Sequence, residues 1–219
     1  MTSLSPPPLP CFDRWPPAVR SAERLRGTLL RCGPGVRGAG WPETPRVRAA
    51  ALSHWLAADR VAVRLTAAWV WGACREPGPP LEFSTLDRRR PEHRTPASGV
   101  SLHQFCYTDD ELWAFGPGLR VTAPAQTACD LLRKPGEFDR SHRVAVRLLI
   151  GMLPGGAEEV RARLTSGRAQ YRTVALHRLD PRSPPPSRPR RPASPIPRPA
   201  SAVPLPAPAH RPSGQLVMR

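Results

Sequence analysis

The feature that most constrains this chain is where its prolines stand. Of 31 prolines, six fall within residues 6–17 and a second crowd fills residues 181–212. A proline inside a helix removes a backbone donor and clashes with the preceding turn, and inside a sheet it breaks the ladder. Both stretches also lack apolar periodicity. The sequence therefore predicts a disordered leader over 1–23, a disordered Pro/Arg-rich tail over 181–219, and a folded part of about 150 residues between them. That length suffices for one buried core.

Charge is unevenly placed as well. The formal net charge is +16. The tail from Pro181 onward carries seven arginines and no acid, which leaves +9 on residues 1–180. Lys134 is the only lysine and asparagine is absent, a bias that GC-rich codons produce unaided. Codon usage explains arginine over lysine but not arginine over glutamate. A basic surface of this kind attracts phosphate backbones and acidic proteins through a salt-sensitive term. The five cysteines, Cys11, Cys32, Cys74, Cys106 and Cys129, form no CxxC pair and no Cys/His group at metal spacing. With no secretory signal and no apolar run of membrane-spanning length, the expectation is a cytoplasmic protein with reduced thiols.

Within the folded part, Leu29, Leu30 and Val36 around Gly33, Pro34 and Gly35 predict a hairpin over 27–37, preceded by one helical turn over 21–25. Thr44 followed by Pro45 is an N-cap and first-turn pair. It opens a helix whose apolar stripe (Val47, Ala50, Ala51, Leu52, Trp55, Leu56) runs to about residue 58. A shorter helix over 65–71 ends at Gly72, and Trp69 and Trp71 cannot share one of its faces. Strands are expected over 81–86, 100–105, 112–115 and 119–122, the last two joined by a turn through Gly116, Pro117 and Gly118. Pro124 starts another helix with Ala128, Leu131 and Leu132 inside, and three further helices cover 138–153, 157–165 and 168–179. The expected class is α+β: a small, antiparallel-leaning sheet with a helical cluster.

Candidate chemistry is sparse. Asp109, Asp110 and Glu111 sit together in a turn, where solvation keeps carboxylates alike rather than splitting their pKa values. His54, His142 and His177 stand alone on helices, and His93 and His103 straddle a loop. No phosphate loop, nucleophile elbow or metal-spaced histidine pair is present, so no enzyme, metal or cofactor is expected. Arg88, Arg89 and Arg90 make a basic loop; Arg20, Arg24, Arg26, Arg31 and Arg37 decorate the turn and hairpin, a pattern that suits the wing of a winged helix. The sharpest local pattern runs from Val121 through Thr122, Pro124 and Thr127 to Asp130 and Leu131. It reads as a strand entering a helix, with Thr122 as the cap, Thr127 bonding back to a carbonyl or the preceding strand, and Asp130 anchoring a backbone group or an arginine.

This Thr-x-Pro-x-x-Thr-x-x-Asp segment resembles the hallmark of the AbiE-type antitoxin family of type IV toxin–antitoxin systems. Residues 66–72, a short helix closed by glycine, and residues 27–36 followed by 45–51 are similar to blocks that precede it in that family. The likeness covers about residues 24–180. It implies a non-catalytic transcription regulator with an N-terminal winged helix on promoter DNA and a C-terminal domain that counters a nucleotidyltransferase-like toxin, with no membrane partner. The implied organisation is a wing-like hairpin remnant over 24–40 and an antitoxin-like α+β domain over 41–180. Two departures stand out. The family has about two further helices before the wing, where this chain has the proline-broken residues 1–23. Some relatives continue from an Asp-Pro-Arg-Ser opening into a restriction-endonuclease-like domain, whereas Asp180 here leads into the Pro/Arg-rich tail. The alternative expectation is a degenerate or frame-shifted remnant of such a two-domain protein.

Overall fold

A computed structural model describes residues 9, 12–56, 60–86, 99–166 and 170–180. The tail expected to be disordered and the arginine triplet at 88–90 lie outside these residues. The leader departs from expectation: a 3-10 turn at Phe12–Arg14 is followed by helix α1, Pro17–Leu25. Prolines that break a helix from within also start one from its first turn, and Pro17 stands there.

Helix α1 leads into an antiparallel hairpin, β1 (Leu29–Cys32) and β2 (Gly35–Gly38), with Leu29 opposite Gly38 and Cys32 opposite Gly35. The hairpin packs closely against the rest of the fold. Cys32 lies in one core with Val47, Leu52 and Trp69. A Cβ on Gly33 would stand 2.5 Å from the Trp69 ring, and one on Gly35 would stand 2.4 Å from the Ala51 carbonyl oxygen. Only glycine allows this approach.

Thr44 caps helix α2 (Pro45–Ala50) by accepting from the Val47 amide at 3.3 Å. Regular helix stops at Ala50, well short of 58, although Leu52 and Leu56 remain buried in the turns that follow. Then come strand β3 (Arg60–Ala62), which the sequence pattern does not announce, and helix α3 (Arg64–Val70), which closes at Gly72 in the left-handed region as expected. Strands β4 (Leu81–Thr85), β5 (Val100–His103), β6 (Leu112–Ala114) and β7 (Arg120–Thr122) complete the second sheet.

Its order is β5-β4-β3-β7-β6, so the unforeseen β3 is the middle strand. Pairs β3/β4 and β6/β7 are antiparallel, whereas β3/β7 and β4/β5 are parallel, which makes the sheet mixed rather than antiparallel. Four helices follow: α4 (Pro124–Leu132), α5 (Arg140–Gly151), α6 (Gly156–Thr165) and α7 (Arg172–Leu179). The class is thus mixed α and β, with two small sheets and seven α-helices among the described residues.

Two apolar cores result. The first joins the hairpin, α2 and the sheet through Trp69, Phe83, Leu52 and Val121; the second joins α4 to α7 through Leu131, Leu132, Leu149 and Leu164. Helix α3 serves both, with Trp69 in the first and Ala68 in the second. Arg178 ties α7 to the end of α4 and the loop after it, donating to the carbonyls of Leu132, the last residue of that helix, and of Lys134 and Gly136 at 2.9, 2.6 and 2.8 Å.

Candidate functional site: a basic groove and a polar cavity

The N-terminal groove forms where α1 meets the hairpin turn. Arg20, Ser21 and Arg24 from the helix, with Arg31, Pro34, Gly35 and Val36 from the hairpin, enclose about 370 Å3. Arg24 and Arg31 are exposed. The Arg24 side chain has no ion-pair or hydrogen-bond partner among the described residues. Arg31 donates only to the Gly33 carbonyl, at 3.1 Å. Arg20 faces Asp13 at 3.6 Å. The other two candidates behave differently. Arg26 pairs with Glu23 at 2.6 Å while staying largely in solvent. Arg37 turns inward, donating to the carbonyls of Trp41 (2.6 Å) and Gly38 (3.2 Å) and approaching Glu43 at 3.4 Å. It locks the loop after β2 and is not available to a phosphate.

The threonine-to-aspartate motif takes a different form from the one expected. Ala123, not Thr122, is the N-cap residue of α4, and it makes no side-chain bond there. Thr122 is buried at the end of β7, with its hydroxyl 2.8 Å from that of Thr127. Thr127 Oγ1 also lies 2.9 Å from the carbonyl oxygens of Thr122 and Ala123. It therefore donates back to the strand while accepting from Thr122, as the bonding-back reading requires. Pro124 occupies the first turn, where its missing N–H leaves nothing unsatisfied. Among the described residues Asp130 hydrogen-bonds neither a backbone group nor an arginine. Its carboxylate accepts from the Tyr107 phenol at 2.8 Å and from Gln126 Nε2 at 2.9 Å.

Around Asp130 the fold brings together groups that stand far apart in the sequence. Arg64 opens α3 with a left-handed backbone (φ 51) and a nearly buried side chain. Its guanidinium reaches Glu82 on β4 at 3.1 Å and His103 at the end of β5 at 3.3 Å, and lies over the Phe105 ring at 5.1 Å. Glu82 also accepts from the Leu65 amide at 3.4 Å, serving the α3 N-terminus that Val63 cannot cap. His103, Phe105 and Tyr107 stand at every second residue from the end of β5 into the segment that follows it. The first two rings stack at 5.1 Å, and the last two meet edge to face at 6.1 Å. The Phe105 amide donates to Ser84 Oγ at 2.9 Å and fixes that stretch on β4.

Beside this cluster opens a cavity of about 460 Å3. Its walls include Arg64, Phe105, Tyr107, Gln126, Asp130 and Arg133. Burial pushes the Asp130 carboxyl up to about 7, against the opposing pull of the Tyr107 hydrogen bond and the charges of Arg133 and Arg64. Tyr107 is raised by burial and then by the Asp130 charge. For Glu82 the balance goes the other way: burial opposes its charge, but hydrogen bonds from His103 and Arg64 outweigh that and hold it below the usual carboxylate range. Among the described residues no group of three or more His, Cys, Asp or Glu is placed to hold a metal ion. No helix among them is long and apolar enough to cross a membrane. Thr108 and Glu111 form a capping box on the exposed turn of Asp109, Asp110 and Glu111.

A sequence signal for this cavity is missing even on the wall after β5, where four consecutive residues, Gln104 to Tyr107, line it without alternation. The Arg64–Glu82 pair has none, because it depends on sheet order. Comparison of the chain with protein-family models, with curated proteins and with solved structures finds no match to any of them.

Proposed function

We propose that the protein is a non-catalytic, antitoxin-like regulator that holds the DNA backbone in the groove between α1 and the hairpin. The observation that carries this reading is the pair Arg24 and Arg31. Two exposed guanidinium groups from consecutive elements face one concavity, and neither is neutralised by a carboxylate among the described residues. A helix followed at once by a hairpin has the order of the helix-and-wing end of a winged helix, in which a basic hairpin tracks phosphates. Phosphate contacts position a protein without reading sequence, so this groove supplies affinity and register rather than base recognition.

A protein partner is supported by a separate feature. Val144, Leu148 and Met152 repeat at every fourth residue along α5 and at its C-cap, and are 44%, 46% and 48% exposed. Exposed Arg140, Arg143 and Arg147 accompany them. An apolar strip with a basic border suits an acidic protein, the kind of surface through which an antitoxin would counter its toxin.

The test is fluorescence anisotropy with a labelled duplex from the protein's own promoter and with a scrambled duplex, each across a salt series. Tighter binding to the promoter supports a regulator. Equal binding that fades steeply with salt reduces the groove to nonspecific attraction. Undetectable binding at low salt refutes the reading. Growth rescue when the chain is co-expressed with a neighbouring nucleotidyltransferase-like gene tests the protein partner, and failure of Leu148→Asp to rescue would place that interaction on α5.

A further inference from the structure

The polar cavity beside Asp130 has no part in the proposed contacts with DNA or a toxin. Its lining combines three kinds of group. Arg64 and Arg133 bring guanidinium groups, and the Nε of each is buried without a hydrogen-bond partner among the described residues. Phe105, Tyr107 and Tyr171 bring rings. Gln104 and Gln126 bring amides that can both donate and accept. At about 460 Å3 the space falls within the range of small-molecule sites.

The charges are only partly balanced. Arg64 is held by Glu82. Among the described residues the Arg133 guanidinium donates to the Arg163 carbonyl, at a long 3.4 Å. One turn before Arg133 on the same helix stands Asp130, whose carboxyl burial pushes up to about 7. Below about pH 7 the cavity therefore holds a cation without a matching anion. Guanidinium groups meet carboxylates and phosphates in a planar, two-pronged fashion, and aromatic walls favour a flat body over a flexible chain.

We propose that this cavity binds a small planar organic anion, a carboxylate or phosphate monoester carried on an aromatic ring, with Arg133 holding the anionic group and Phe105 and Tyr171 flanking the ring. Tyr171 is half exposed at the mouth and has a left-handed backbone (φ 61) that asparagine tolerates, so Tyr171→Asn removes the ring without straining the chain.

The experiment is calorimetric titration of the full chain, without DNA, using benzoate, adenosine monophosphate and inorganic phosphate as separate probes. Saturable binding of benzoate or adenosine monophosphate, with inorganic phosphate about tenfold weaker or more, is the expected result. Which of the two ring-bearing probes binds identifies the anionic group. Arg133→Gln and Tyr171→Asn should each weaken the bound probe by about tenfold, and Tyr171→Asn should leave the melting temperature unchanged. Three results would overturn the proposal: no saturation by either ring-bearing probe at about 10 mM, equal binding of inorganic phosphate, or affinity unaffected by Tyr171→Asn.

Discussion

The Tyr107 phenol donates to Asp130 across 2.8 Å, joining the stretch that follows β5 to the last turn of α4. The bond lies in an environment that disfavours charge, and burial pushes the carboxyl up from its ordinary 3.8 to about 7. A carboxyl raised on folding binds its proton more tightly in the native state than in the unfolded one. Its contribution to stability is therefore complete below about pH 4 and is lost as the pH rises through about 7.

Asp130→Asn should remove that dependence. Between about pH 4 and pH 7 the native protein should lose on the order of 3 kcal/mol relative to the variant, and the difference should be flat above pH 8. Urea unfolding of both proteins at pH 4, 6 and 8 measures it. A difference that does not change with pH would show that Asp130 has the same pKa folded and unfolded.

Thr127→Val keeps the shape of the side chain and removes its hydroxyl. Buried Thr122 is then left without its partner, at a cost of about 1–3 kcal/mol. The double variant Thr122→Val with Thr127→Val should cost less than the two single variants summed, because the second change removes the orphan created by the first. A double-mutant cycle by chemical denaturation checks this. Strict additivity would mean that the two hydroxyls do not interact.

Gly35 and Gly38 stand three residues apart on one strand and should respond differently to alanine. A Cβ on Gly35 meets the Ala51 carbonyl oxygen at 2.4 Å, and backbone cannot step aside, so a destabilisation of about 1–3 kcal/mol or more is expected. On Gly38 the new atom meets the Trp41 ring at an ordinary 3.7 Å, and the change should stay within about 0.5 kcal/mol. Thermal melts of the two variants decide it. Similar melting temperatures would show that the hairpin is not fixed against Ala51.

For DNA, replacing Arg24 and Arg31 together by glutamine should flatten the slope of log affinity against log salt by about 2, close to one unit for each phosphate no longer neutralised. Arg37→Gln should leave the slope alone and lower stability instead, since its guanidinium serves Trp41, Gly38 and Glu43. If Arg37→Gln flattens the slope as much as the double variant does, the phosphate path runs along the hairpin rather than through the groove.

Local chemistry is the legible part of this fold. Thr44 with Pro45, Gly72, and the two hairpins each carry their signal within a few residues, and each element is found where that signal stands. Strand β3 escapes a reading of the sequence because three residues, Arg60, Val61 and Ala62, are too short to show alternation, and a central strand buried on both faces has none to show. Only the last turn of helix α1 is read from the sequence, because Pro16 and Pro17 look like breakers, although a proline at the first helical position favours a helix. The cavity is illegible for another reason. Arg64, Glu82, His103 and Asp130 are brought together only by strand order and by the seating of α4, which no local pattern encodes.

Helix α3 has almost no face left for water: of its seven residues, all but Leu65 are buried. Stripped of either set of neighbours it would show a large apolar surface to solvent, so neither core can persist while the other melts. Sheet and helical cluster should melt in a single cooperative step, and truncation between them would yield two aggregating pieces in place of two smaller proteins.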